Sequence, residues 1–134
     1  MRSMSTLTQT QTAGVARAMD ARDRQLRDEI RDALVQSGDQ RYIDLAGQVH
    51  DLGDESVANE LIEVESVLIE RHVRELREIG VARERLARGE INVCIGCGSE
   101  IGVKRLLANL AAVRCIDCQG RLEKTHAHEA MPRL

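Results

Sequence analysis

Between about residues 15 and 36, the apolar side chains Leu26, Ile30, Ala33 and Leu34 recur at three- and four-residue steps, which predicts a helix with one face to bury. Ser37, Gly38 and Asp39 interrupt that rhythm with a kink or short break, because glycine inside a helix costs about 1 kcal/mol relative to alanine. The stripe resumes at Tyr42, Leu45, Val49 and Leu52 and reaches Gly53, where the chain is expected to reverse. Residues 56–88 hold no proline and a single glycine, Gly80, while Ile62, Ile69, His72, Leu76, Ile79 and Leu86 follow a seven-residue repeat. Two stripes joined through residues 51–55 cover each other only by lying antiparallel. The pattern therefore predicts a long helical hairpin, a coiled coil with its tip at about 51–56. Residues 1–14, rich in Ser, Thr and Gln, read as a flexible N-terminal tail; the hairpin spans 15–88, a small lobe 89–124 and a C-terminal tail 125–134. The expected fold class is mainly α.

Composition narrows what such a chain can do. Its 134 residues carry a formal charge of −3, which argues against wholesale binding to nucleic acid or to an acidic membrane. One tyrosine, no tryptophan and no phenylalanine leave no aromatic platform for stacking single-stranded bases. No run approaches the roughly 18 apolar residues of a membrane span, and the first residues have no apolar signal core, so a cytoplasmic location is expected. In that reducing setting, cysteines in close pairs are metal ligands before they are disulfides.

Those pairs are Cys94-Ile95-Gly96-Cys97 and Cys115-Ile116-Asp117-Cys118, separated by seventeen residues. Two residues between thiolates let a tight turn present both sulfurs to one ion, and four sulfurs suit tetrahedral Zn²⁺. A closed shell of four leaves no position for an activated water, so one structural zinc per chain is expected, and no catalytic centre. Lys104, Arg105, Arg114 and Arg121 lie near enough in sequence to offset the −2 charge of such a site. His126 and His128 have no evident third ligand and are the weaker metal candidates. A thioredoxin-like use of one pair would call for a βαβ pattern, which this sequence lacks.

The segments Cys94-Ile95-Gly96-Cys97-Gly98-Ser99-Glu100-Ile101-Gly102, Arg105-Leu106 and Cys115-Ile116-Asp117-Cys118-Gln119 resemble the zinc-finger signature of the DksA/TraR family of bacterial transcription regulators. The resemblance runs upstream to about Leu26. It implies a non-enzymatic regulator that binds RNA polymerase through its secondary channel, as Gre-type factors do, without sequence-specific DNA contact. The family's working tip, Asp-x-x-Asp-x-Ala, corresponds to Asp51, Asp54 and Ser56, with serine replacing alanine. Arg71 matches a family arginine and is a lesser candidate for polymerase contact. Positions that serve the alarmone ppGpp in responsive members fall on Glu78, Asn109 and Gln119, so weak or absent ppGpp dependence is implied.

The charges give the tip reading partial support. Residues 39–65 hold eight acids against Arg41, whereas residues 71–88 hold six arginines against three glutamates. An acidic element suits a positively lined channel. On the residues alone, capping the second helix is the favoured role for Asp54. A nucleic-acid-binding zinc module, resting on the cysteine pairs with Lys104 and Arg105, is the alternative function, and the acidic net charge counts against it.

Overall fold

A computed structural model describes residues 7–53 and 55–130, with side chains as far as 125. Within these residues the chain is mainly helical: α1 (Gln9–Gln36), α2 (Gln40–Ala46), a 3₁₀ turn (Val49–Asp51), α3 (Glu55–Ile62), α4 (Val67–Ala87), α5 (Val103–Ala108) and α6 (Ile116–Ala130). The fold class is as the sequence implies, with helices and a four-cysteine cluster toward the C-terminus. α1 begins inside the stretch expected to be a tail, and α6 continues past residue 124.

Arg17–Val81 forms one compact unit. Its core joins Met19, Leu26, Ile30 and Leu34 of α1 to Ile69, Val73, Leu76 and Ile79 of α4, all buried. Such spacings put one apolar stripe on each helix. Arg22 of α1 makes a two-pronged pair with Glu75 of α4 at 2.6 and 2.8 Å, and Glu29 lies 3.3 Å from His72. As numbering rises along α1 it falls along α4, so the two helices run antiparallel as the pattern requires. Leu45, Ala46 and Val49, followed by Val57, Ala58 and Leu61 of α3, complete the core.

The reversal falls elsewhere than expected. α1 stops at Gln36, Gly38 takes the left-handed conformation with φ +75°, and the Asp39 carboxylate caps α2 by accepting the Arg41 N–H at 2.9 Å. A left-handed φ is open to glycine without a Cβ penalty, so the tripeptide read as a kink is a full turn. By Val49 the chain already lies back against α1. The Arg27 guanidinium donates to the carbonyls of Val49 (2.7 Å) and Leu52 (3.0 Å), and His50 sits 3.2 Å from Asp28. Residues 51–55 are thus a second connection beside α1, and the tip expected at 51–56 is not the end of the helical pair.

The helix expected over 56–88 is likewise divided. Glu65 has φ +61°, and the Ser66 hydroxyl accepts the Ile69 N–H at 3.2 Å to start α4. Without glycine or proline at this point, the break escaped the sequence pattern. It allows Val57, Ala58 and Leu61 to face the core independently of the α4 stripe.

The second unit comprises the segments up to Ala16 and from Ala82 onward. Here α4 ends in a Schellman arrangement: the Gly89 N–H reaches the Leu86 carbonyl, the Glu90 N–H reaches the Arg85 carbonyl, and Gly89 has φ +74°. A single antiparallel bridge, Val93 to Glu100, closes the first cysteine turn. The buried Asn92 side chain accepts the Gly102 N–H at 2.7 Å, and its own carbonyl accepts the Ile101 N–H at 2.9 Å.

Candidate metal centre and acidic connection

Each CxxC turn is built by its own backbone. In the first, the Cys94 N–H donates to the Ser99 carbonyl (2.8 Å) and the Gly98 N–H returns to the Cys94 carbonyl (2.9 Å), while Gly98 adopts φ +79°. In the second, Cys115 immediately precedes α6, and the Cys118 N–H points at its sulfur from 3.4 Å. The Ile95 N–H donates to the Val113 carbonyl at 2.9 Å and so ties the two turns together. Gly96 is required for space: a Cβ there would lie 3.0 Å from the Cys118 sulfur.

The four ligand sulfurs of Cys94, Cys97, Cys115 and Cys118 all lie within 4.8 Å of one another, with Cys97 Sγ 3.8 Å from Cys115 Sγ. A zinc–sulfur bond of about 2.3 Å implies tetrahedral edges of about 3.8 Å, so the cluster fits one Zn²⁺. Its protonation chemistry agrees. Burial pushes the Cys94 thiol up, but backbone amides around it prevail and bring it down to about 6. Cys118 is pushed up to about 12, chiefly by the neighbouring sulfurs of Cys115, Cys94 and Cys97. Four sulfurs this close do not all ionise without a cation among them, and a bound metal ion supplies one. These cysteines hold one structural zinc.

The cations expected near this charge divide. Lys104 is exposed, and Arg105 uses its Nε to bind the Arg114 carbonyl at 3.0 Å, fastening the segment ahead of the second turn. Sequence reasoning missed Arg85, whose side chain is buried and whose Nη2 donates to the carbonyls of Glu90 (2.8 Å) and Val93 (2.5 Å). An arginine in a helix with many exposed arginines gives no sequence signal of its own. The side chains of His126 and His128 lie outside those described.

Asp51, Ser56 and Arg71 belong to the helical unit and all three are exposed. Asp51 closes the 3₁₀ turn, Ser56 lies in the first turn of α3 and Arg71 is on α4. Asp54, with the capping role considered for it, lies outside the described residues. Glu55 of the same connection pairs with Arg77 at 2.8 Å. Among the positions implied for ppGpp, Glu78 and Asn109 are exposed, and the Gln119 amide donates to Glu123 at 2.9 Å.

Residues 87–124 match the prokaryotic dksA/traR C4-type zinc finger. Over 113 residues the chain is 27% identical to the RNA polymerase-binding transcription factor DksA of Escherichia coli (strain K12) and of Shigella flexneri, covering 84% of this chain and 72% of each relative. It is 30% identical to transcription factor DksA2 from Pseudomonas aeruginosa in a solved structure, over 80% of this chain and 90% of that one, with a TM-score of 0.46. The cysteine cluster and the matching module make this a C4 zinc-finger protein. That module is the one described for the DksA/TraR family, and the similarity to the DksA proteins continues upstream of it.

Proposed function

We propose that the chain is a bacterial transcription regulator that binds RNA polymerase through its secondary channel and modulates initiation. The observation that carries this reading is the similarity to curated relatives that are named as RNA polymerase-binding transcription factors. The working element is the acidic connection of Asp51, Asp54 and Ser56, with Arg71 as a further contact. Exposure of Asp51, Ser56 and Arg71 supports the assignment, because a docking residue must be reachable from outside. Acidic groups on that connection suit a positively lined channel. The protein acts as a binding factor in the cytoplasm, not as an enzyme, with zinc in a structural role. No helix among the described residues is long and apolar enough to cross a membrane.

Dependence on ppGpp is weak or absent in this reading. Glu78, Asn109 and Gln119 offer a carboxylate and two neutral amides where a pyrophosphate would need cations, and Gln119 is already bonded to Glu123. Transcription measured with and without the alarmone should differ little.

The deciding experiment is co-purification with bacterial RNA polymerase, repeated with a competitor for the secondary channel. Retention that the competitor removes supports the proposal, and retention that it leaves untouched overturns the channel assignment. Asp54→Asn should still co-purify with polymerase and should lose the effect in a transcription assay. Binding to DNA in the absence of polymerase would favour the nucleic-acid module instead.

A further inference from the structure

Arg85 stands in the last turn of α4, four residues before the left-handed Gly89, and its side chain is almost completely enclosed, with 6% of the residue exposed. Its Nη2 spans the loop that leads into the metal site, holding the carbonyls of Glu90 and Val93. The second acceptor belongs to the residue directly before Cys94. Its Nη1 is also buried and has no hydrogen-bond partner among the described residues. Among the described residues no carboxylate is hydrogen-bonded to this guanidinium: Glu84, its neighbour in sequence, is exposed, and Glu90 is exposed and gives its carboxylate to Arg88 at 3.2 Å.

A buried positive charge with only carbonyl acceptors is out of balance, because enclosed charges are normally paired. The anion available to it is the metal centre. Four thiolates around Zn²⁺ sum to −2, and Cys94 is the one sulfur-bearing residue of the four that is buried, at 2% exposure. Water screens it least, so a fixed cation on the protein side acts most strongly there. Burial lowers the Arg85 value, and the charges of Glu90 and then Cys94 act against that lowering.

We infer that Arg85 is the counter-cation of the zinc centre, a positioning residue that pins the first cysteine turn and offsets the charge of its buried thiolate. The Schellman end of α4 delivers the side chain to this place. Helix and metal site are thereby coupled through one guanidinium.

Two variants separate charge from hydrogen bonding. Arg85→Lys keeps the cation, and Arg85→Gln keeps an amide donor for the carbonyls without the charge. The whole chain is loaded with zinc and titrated with a chromophoric chelator, and the thiolate-to-metal absorption of the Co²⁺-substituted protein is recorded. Arg85→Gln should weaken zinc about tenfold or more, in the range found for groups that support metal ligands, and shift the Co²⁺ band. Arg85→Lys should stay within about threefold of the parent and leave the band in place. Equal losses in both variants would reduce Arg85 to a backbone clasp and overturn the inference. Unchanged affinity in Arg85→Gln would overturn it too. Should Arg85→Gln fail to fold with zinc, Arg85→Lys decides alone: affinity within the stated margin supports the inference, and a larger loss overturns it.

Discussion

In the helical unit, buried side chains are spread along every element, from Met19, Leu26, Ile30 and Leu34 on α1 through Leu61 on α3 to Ile69, Val73, Leu76 and Ile79 on α4. Past α4, the described residues of the zinc-bearing unit set only Ile91, Ile101, Leu106 and Ala112 beside Cys94. Polar contacts differ in the same sense. The helical unit is tied between helices by Arg22 with Glu75 and by Arg27 on two carbonyls, whereas the zinc turns are tied mostly by their own amides. Burial distributed over many side chains degrades gradually when one is lost. A segment with so small a core places its stability in a single ion, and small domains regularly need such a staple.

Metal removal tests that contrast most severely. Structural zinc supplies about 10–16 kcal/mol of apparent binding energy in small fingers. Cys94→Ser, or chelation, should therefore abolish amide protection across 91–118 while protection across 57–79 persists, as read by hydrogen exchange. Simultaneous loss in both regions would break the comparison. Next in size is Leu61→Ala, which empties a position with 0% exposure and should cost about 2–5 kcal/mol in urea unfolding. Zinc affinity should stay within about twofold, since Leu61 and the cysteines belong to different units and sites that share no partners act additively.

A smaller effect is expected from Arg27→Met, which removes both bonds to the Val49 and Leu52 carbonyls. The loss should be about 1.5–3 kcal/mol, with faster amide exchange confined to 49–53. Uniformly faster exchange throughout the helical unit would show that Arg27 supports more than the connection. The smallest effect belongs to Arg22 and Glu75. The arginine's hydrogen bond holds the Glu75 carboxyl below its ordinary value of 4.5, against opposition from burial. Because the folded value is the lower one, this pair's contribution is complete above the ordinary value and fades as pH falls through the folded one. Both side chains are 33% exposed, so the contribution is at most about 1 kcal/mol. Arg22→Gln should flatten that part of the acid dependence, checked by urea midpoints at neutral and acidic pH.

Legibility followed the range of the interactions. The four ligands were readable because a CxxC turn is local: two intervening residues and a few amides suffice to converge two sulfurs, and the second pair repeats the device. Gly98 takes a left-handed backbone, whereas Gly96 matters because a Cβ there would crowd the Cys118 sulfur, which no spacing reveals. Arg85 was hidden among the other arginines because only burial distinguishes it.

The sequence by itself determined the helical class, the apolar stripes of α1 and α4, their antiparallel pairing and the zinc ligands, since each rests on helical period or on the reach of a short turn. Tertiary structure alone decided where the chain reverses. The sequence pattern put the reversal at Gly53 and only a kink at Gly38, and the reversal fell at Gly38. That choice brings Val49 and α3 back onto the α1–α4 core and gives Arg27 two carbonyls to hold. A turn signal records where a chain is able to bend, whereas the bend that forms is set by the apolar surface it covers and the polar groups it satisfies.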